Sequence, residues 1–212
     1  MSKILFVMSA ADHWTLKDGT RHSTGFWAEE FLVPYRALTA AGHVVEVATP
    51  GGVAPVVDPA SLNGEEAPVV PVAGRLTDVD LGAYAAIYFP GGHAPMEDLS
   101  QDGESAALIG KALTAGVPLA LVCHGVAALL PVDPELVAGR RVTGFSNTEE
   151  GLAGLAPKAS WLLEDRLVAL GTTFTAGEPW QPYVVVDGAL ITGQNPASSE
   201  AVAAELLRAM TA

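Results

Sequence analysis

Short apolar runs in this chain alternate with longer segments in which apolar and polar residues recur at helical spacing. An apolar run bounded by Gly, Pro or polar residues predicts a strand buried on both faces. Strands are expected at residues 3–8, 43–48, 84–89, 119–122, 141–144, 172–175, 183–186 and 189–192, and helices at residues 26–41, 105–115, 161–170 and 199–210. This alternation predicts an α/β fold, a three-layer α/β/α sandwich around a mostly parallel sheet, because right-handed crossovers place helices against the sheet.

Two polar segments are expected to form loops, residues 9–24 and residues 146–151. The first leaves the carboxyl end of the first strand, at the edge where open α/β sheets bind ligands. Ser23 or Thr24 then offers a side-chain oxygen that can cap the first helix. Because the chain has no internal repeat and no linker-like segment, residues 1–212 are predicted to form a single domain.

The composition argues against several classes of partner and site. A net charge of -13 argues against binding to nucleic acid or to an anionic membrane surface. The single cysteine excludes an internal disulfide and a multi-cysteine zinc site, and it is typical of a reducing cytoplasm, where a reactive thiol persists. Neither a signal peptide nor an apolar stretch long enough to span a membrane is recognisable. We therefore expect a cytoplasmic protein with no nucleic-acid and no membrane partner.

The stretch LALVCHGVAALL at residues 119–130 is the strongest candidate for chemistry. An apolar strand runs into Cys123, His124 and Gly125, and a segment predicted to be helical follows, which is the pattern of a nucleophile elbow with Cys in place of Ser. Such a turn would aim the His124 amide and a helix N-terminus at the sulfur, and this would lower the pKa of the thiol. The alternative is an ordinary core cysteine, since free cysteines are usually buried.

A cysteine nucleophile needs a base, an acid that orients the base, and donors for an oxyanion. His124 is adjacent to the thiol, and Glu149 or Glu150 could hold its ring, although both carboxylates could equally be solvated in a loop. Gly91 and Gly92 follow a core strand at the same edge of the sheet. Their amides could stabilise an oxyanion, or the pair could form an ordinary turn.

Two further residues are candidates on weaker signals. Glu30 lies early in the first helix among apolar neighbours, and Pro34 should bend the helix near it by removing one backbone hydrogen bond. If this face is buried, the pKa of Glu30 rises and the carboxyl can transfer protons at neutral pH; otherwise it only complements the helix dipole. His93 and Glu97 are four residues apart, but two ligands are weak evidence, so no metal site is expected.

Five blocks of sequence together resemble the ThiJ/PfpI superfamily and, within it, the chaperone-like branch of glutathione-independent glyoxalases (glyoxalase III). The blocks, in chain order, are TGFWAEEFLVPY at 24–35, PGGH at 90–93, VCHG at 122–125, TGFSNTEE at 143–150 and DGALITGQNP at 187–196. The resemblance implies a flavodoxin-like fold similar to class I glutamine amidotransferase domains. It implies Cys123 and His124 in the elbow, selects Glu30 over Glu29 as the helix acid, and places the triad acid on Glu150. It also implies that the loop containing Gly91, Gly92 and His93 binds the oxyanion and the substrate.

The resemblance further implies an enzyme that converts a small reactive carbonyl, methylglyoxal or glyoxal, to the hydroxy acid through a hemithioacetal on Cys123. Such an enzyme is a lyase of the lactate dehydratase type that needs no cofactor, and members of the superfamily are often homodimers. Other Cys-dependent hydrolases or hydratases (amidase, peptidase, isonitrile hydratase), a holdase chaperone and a thiol redox sensor remain alternatives. Glutamine amidotransfer is not expected, because the chain lacks a His-Pro-Glu after the elbow.

Overall fold

The computed structural model describes residues 1–211. The strands are β1 (Lys3–Val7), β2 (His13–Thr15), β3 (Arg21–Ser23), β4 (Val44–Thr49), β5 (Ala73–Arg75), β6 (Ala86–Phe89), β7 (Leu119–Val122), β8 (Arg141–Val142), β9 (Thr173–Phe174), β10 (Val184–Asp187) and β11 (Leu190–Gly193). The α-helices are α1 (Ala28–Ala40), α2 (Gly103–Ala115), α3 (Pro134–Val137), α4 (Asn147–Leu152), α5 (Leu163–Ala169) and α6 (Ser199–Ala209). None of these helices is long and apolar enough to cross a membrane.

Within residues 1–211, seven strands form the central sheet in the order β10-β11-β7-β6-β1-β4-β5. Neighbouring strands run parallel, except that β10 pairs antiparallel with β11 at one edge. Every residue of β6, β7 and β11 is buried, as is every residue of β1 except Lys3. Such runs form central strands because their side chains alternate between two covered faces. The predicted fold class is therefore confirmed.

The connections of the sheet change direction between β1 and β6. The chain passes from β1 through α1 to β4 on one side, and from β6 through α2 to β7 on the other. Because right-handed crossovers are the rule, α1 and α2 lie on opposite faces. Ligands of open α/β sheets bind at the carboxyl ends of the strands beside such a switch point. The segments that follow β1, β6 and β7 meet there.

Residues 9–24 were expected to form a loop, and this prediction is wrong: they contain a hairpin in which β2 pairs antiparallel with β3. The following helix begins at Ala28, because Phe26 remains extended and forms a β-bridge with Val57. Neither predicted cap is used. Ser23 belongs to β3, and the Thr24 hydroxyl donates to Asp58 Oδ2 at 2.6 Å.

Two other segments also differ from the prediction. Residues 146–151 contain α4 rather than a loop, because Ser146 and Glu149 form a reciprocal capping box at its start. The apolar segment after β7 is a 3₁₀-helical turn, Cys123–Leu129, and not an α-helix. Both differences place residues of the candidate site on short, tightly held elements.

Candidate active site

The chain turns sharply at Cys123, directly after β7. Cys123 has a φ of 57°, the left-handed conformation that a non-glycine residue adopts only at a cost of about 1–3 kcal/mol. Gly125 allows the turn to press against the end of β6, since a Cβ there would lie 2.7 Å from the carbonyl oxygens of Phe89 and Pro90. This strained, closely packed turn holds the thiol at the carboxyl end of the sheet, as in a nucleophile elbow.

His124 connects the thiol to a carboxylate. Its Nδ1 lies 3.4 Å from Cys123 Sγ, and its Nε2 lies 2.7 Å from Glu150 Oε2. An ionised carboxylate only accepts hydrogen bonds, so we assign the ring proton to Nε2, which leaves the Nδ1 lone pair directed at the thiol. The structure thus brings together Cys123, His124 and Glu150 in the geometry of a nucleophile, a base and the acid that orients the base.

The protonation of this triad follows from its burial. Burial, aided by neighbouring His93, lowers the pKa of His124 to about 4, so the ring is neutral at pH 7. Burial opposes the charge of Glu150, but its contacts with His124 and His93 outweigh that effect and hold the pKa of Glu150 well below its usual value. An uncharged base therefore faces the thiol, and an ionised carboxylate holds that base in place.

Glu30 of α1 lies beside the thiol, and its side chain is fully buried. Its Oε2 accepts the Gly91 N–H at 2.6 Å, while its backbone carbonyl accepts the Tyr88 hydroxyl at 2.7 Å. Among residues 1–211, Oε1 has no hydrogen-bond partner. Burial raises the pKa of Glu30 to about 8, although the Gly91 amide and the Cys123 thiol counteract part of the rise. The carboxyl is therefore mostly protonated at pH 7.

The expectation that the elbow lowers the pKa of the thiol is wrong. Burial raises the pKa of Cys123 well above its usual value, and the adjacent Glu30 raises it further. The amides of His124 and Gly92 donate to the sulfur and favour the thiolate, but they do not offset the burial. The resting cysteine is therefore a thiol, and it must pass its proton to a base before it can attack.

The two glycines after β6 have different partners. The Gly92 amide points at Cys123, which fits the predicted oxyanion donor. The Gly91 amide is already bound to Glu30, so the oxyanion role predicted for Gly91 needs correction: this residue holds the helix acid. Gly92 has a φ of 88°, and a Cβ there would lie 2.1 Å from the carbonyl oxygen of Gly25, so no side chain fits at this position.

His93 lies against the triad acid and not at the oxyanion position predicted for its loop. Its Nε2 is 2.9 Å from Glu150 Oε1, and its ring centroid is 4.0 Å from that of His124. Coordinating atoms of these three residues lie within 4.8 Å of one another, a spacing that a metal could use. Hydrogen bonds from both Nε2 atoms to the one carboxylate already explain the cluster. Glu97, the other half of the weak metal pair, instead accepts hydrogen bonds from Thr15.

Residues 22–209 match the DJ-1/PfpI family, a range that includes the triad and Glu30. The chain belongs to the DJ-1/PfpI family. This finding confirms the resemblance to the ThiJ/PfpI superfamily that the five sequence blocks indicated.

Individual members of the DJ-1/PfpI family match along nearly the whole chain. Glyoxalase 3 of Candida albicans is 26% identical over 99% of this chain and 98% of its own. The glutathione-independent glyoxalase hsp3101 of Schizosaccharomyces pombe is 28% identical over 95% of this chain and 93% of its own. The solved structure of the rapid encystment protein of Francisella tularensis superposes with a TM-score of 0.90 at 27% identity, covering 99% of both chains.

A small apolar pocket opens onto the thiol of this DJ-1/PfpI protein. It has a volume of about 90 Å³ and is lined, apart from Cys123, His124, Gly92 and His93, by Trp27, Phe145, Ala153, Trp180 and Pro196. Because water occupies about 30 Å³ per molecule in the liquid, the pocket has room for only a few heavy atoms. Sequence reasoning did not identify Phe145 and Trp180 as lining residues. Phe145 lies inside the block TGFSNTEE at 143–150, so the resemblance could have identified it, whereas no pattern in the sequence around Trp180 indicates a pocket residue.

A wider cavity of about 610 Å³ adjoins this pocket and shares Trp27, His93 and Ala153 with it. Polar residues line its outer part, including His22 and Lys158. This wider cavity, the vestibule, therefore lies next to the thiol pocket, and the rings of Trp27 and His93 belong to the walls of both.

Glu149 is a third buried glutamate, which the sequence analysis offered as an alternative to Glu150 or as a solvated loop residue. Its Oε1 accepts the Trp180 amide at 2.9 Å and the Asn195 side-chain amide at 2.8 Å, and its Oε2 accepts both the amide and the hydroxyl of Ser146. Glu149 thus ties the start of α4, which carries Glu150, to the segment that carries Trp180. Its role is structural support of the pocket wall.

Proposed function

We propose that this protein is a glutathione-independent glyoxalase that converts methylglyoxal or glyoxal to the corresponding hydroxy acid. The observation that carries the proposal is a fully buried carboxyl group, that of Glu30, placed beside the thiol of a Cys-His-Glu triad with a pocket of about 90 Å³. The named glyoxalase relatives support this reading. An isomerisation needs a nucleophile and a second group that carries protons between neighbouring carbons, and the site contains both.

The first step is addition of the thiol to the aldehyde. His124 Nδ1 accepts the proton of Cys123, the sulfur bonds to the aldehyde carbon, and the carbonyl π electrons move onto oxygen. The amides of Gly92 and His124, which point at the sulfur, would stabilise this oxyanion. Return of the proton to the oxyanion gives a neutral hemithioacetal.

The second step moves a proton between two carbons. Ionised Glu30 removes the C–H proton of the hemithioacetal, which gives an enediolate with its charge on the former ketone oxygen. Glu30 then returns that proton to the neighbouring carbon, while the hydroxyl proton of the sulfur-bearing carbon passes to the former ketone oxygen. This leaves a neutral hydroxy thioester on Cys123 and ionised Glu30. A pKa of about 8 suits this exchange, since acid–base groups act best when their pKa lies near the working pH. Water then cleaves the thioester, which releases lactate and a proton from methylglyoxal and regenerates the thiol.

The test is to incubate purified protein with methylglyoxal in the absence of glutathione, and to measure methylglyoxal loss together with lactate formation. We expect lactate from the wild type and none from Cys123→Ala, with unchanged circular dichroism because the side chain is small. Turnover retained by Cys123→Ala would contradict the thiol mechanism. No lactate from the wild type would remove the substrate assignment.

A holdase activity is the second candidate, and one surface feature favours it. Four valines between residues 53 and 72 are strongly exposed: Val53, Val56, Val69 and Val72. Exposed apolar clusters on a soluble chain commonly mark contact sites for other proteins. Suppression of aggregation of a heat-denatured client would be unaffected by Cys123→Ala and weakened by replacing these valines with serine.

Among the hydrolase alternatives, the small volume of the thiol pocket suits a small amide substrate better than a peptide.

A further inference from the structure

His93, in the turn that follows β6, lies among four aromatic rings, one of which is Phe145 at a centroid distance of 6.2 Å. Trp14 of β2 stacks on it at a centroid distance of 5.2 Å and an interplanar angle of 17°, His124 lies on another side at 4.0 Å, and His22 of β3 meets it edge-on at 6.2 Å. Its Nε2 reaches Glu150 Oε1, the carboxylate oxygen that His124 does not use. Each oxygen of the triad acid therefore accepts one imidazole N–H.

We propose that His93 is a positioning residue for the reaction: by sharing the Glu150 carboxylate with His124, it limits the basicity of His124 and fixes the plane of Glu150. The inference rests on the proposed function for its kinetic consequence only. Its structural part concerns the protonation of His124 and does not depend on the substrate.

The physical reason is that the single negative charge of the Glu150 carboxylate interacts with two imidazole rings, those of His124 and His93. A carboxylate that accepts a single N–H from an imidazole strongly stabilises the cationic form of that ring. A second donor on the other oxygen withdraws part of this stabilisation, so the first ring protonates less readily. His93 also acts directly: after burial, its electrostatic effect on the neighbouring ring is a cause of the lowered pKa of His124, and its hydrogen bond lowers the pKa of Glu150. His124 is then present as the neutral base that the thiol requires, rather than as an imidazolium.

Among residues 1–211, the other ionisable groups near His93 and His124 are not hydrogen-bonded to both imidazole rings. The groups that face His124 are Cys123, Glu30 beyond the sulfur, Glu149 and Glu150 of α4, and His93. The groups on the outer side of His93 are His22 of β3 and, across the vestibule, Lys158 and Asp58. Of these, Glu150 is hydrogen-bonded to both rings.

A pair of substitutions separates the hydrogen bond from the stacking. His93→Phe keeps an aromatic ring between Trp14 and His124 but removes the donor. His93→Gln removes the ring but can place an N–H near the position of Nε2. His93→Met is a second donor-free variant if the phenylalanine protein does not fold. His43→Gln, in the turn between α1 and β4, is the matched control for loss of a histidine away from the site.

The measurement is the nitrogen NMR titration of the His124 ring in each protein, accompanied by the pH dependence of kcat/KM with methylglyoxal. We expect the His124 midpoint in His93→Phe to rise by about one pH unit or more, with the acidic limb of kcat/KM moving in the same direction. His93→Gln and His43→Gln should titrate as the wild type does.

An unchanged His124 midpoint in His93→Phe would overturn the inference, as would an equal shift in His93→Gln, which would show that the ring and not its donor matters. If the wild type does not turn over methylglyoxal, the proposed function fails, but the NMR titration still decides the role of His93. The two failures are therefore distinguishable.

Discussion

Replacing Glu30 by glutamine should give a variant whose stability advantage over the wild type grows as the pH rises, but whose turnover is lower. Burial raises the pKa of Glu30 from 4.5 to about 8, and a shift of this size corresponds to about 5 kcal/mol of free energy. Because the folded-state pKa is the higher one, wild-type stability is complete below pH 4.5 and is lost as the pH rises towards 8. Glutamine cannot ionise, so it removes this loss.

The assay is urea denaturation of wild type and Glu30→Gln between pH 5 and pH 9. The free energy of unfolding of the variant minus that of the wild type should grow by up to about 1.4 kcal/mol per pH unit until pH 8, and then become constant. Glutamine can still accept the Gly91 amide, and any change in hydrogen bonding adds a constant that cancels in this slope. The turnover number should fall by orders of magnitude, because an amide cannot carry a proton.

Glu29→Gln is the matched control, since Glu29 precedes Glu30 in α1 and its side chain is exposed. Its stability difference from the wild type should change far less with pH than that of Glu30→Gln, because Glu29 is the smallest of the causes that act on the pKa of Glu30. Parallel curves for wild type and Glu30→Gln would refute the reasoning, because they would mean that Glu30 ionises in the folded protein as easily as in the unfolded chain.

Two further predictions concern the triad and the pocket. Glu150→Ala should lower kcat for methylglyoxal by about 10²-fold, as expected for the loss of a group that orients a base, and a loss as large as that of Cys123→Ala in parallel assays would contradict this ranking. Trp180→Ala should open the pocket and raise the kcat/KM for phenylglyoxal relative to methylglyoxal at least about tenfold, since filling or emptying an apolar pocket changes discrimination by about 1–3 kcal/mol. Trp161→Ala serves as the control, because Trp161 precedes α5 and does not line the pocket. An unchanged ratio in Trp180→Ala would exclude Trp180 as the limit on substrate size.

The sheet and the position of the site could be predicted from the sequence because both depend on short-range patterns. The apolar runs that became β1, β6 and β7 have no polar interruption, and parallel strands bring their carboxyl ends to one edge. Cys123 and the glycines after β6 each follow such a strand directly. Their proximity therefore follows from topology, before any side-chain detail is known.

The remaining features depend on contacts that no local pattern encodes. The hairpin strands β2 and β3 have three residues each and mixed polarity, so their pairing is fixed by neighbours such as Trp14 against His93. The pKa of the thiol was predicted in the wrong direction because the sequence showed a helix start but not the degree of burial. The Gly91 amide could not be assigned to Glu30, 61 positions away, without the orientation of both groups.

A close contact of main chain with main chain at Gly92, whose amide lies near the thiol, restricts how this site can diversify. A Cβ on Gly92 would lie 2.1 Å from the Gly25 carbonyl oxygen, and a Cβ on Gly25 would lie 2.0 Å from that of Val56. Three segments of chain are thus separated by less than the width of a methyl group, and the atoms that a Cβ would meet first belong to the main chain, which cannot rotate aside as a side chain can. Altered specificity in descendants of this protein would have to come from the aromatic lining of the pocket (Trp27, Phe145 and Trp180) and from the vestibule, while the three main-chain segments are inherited as a unit.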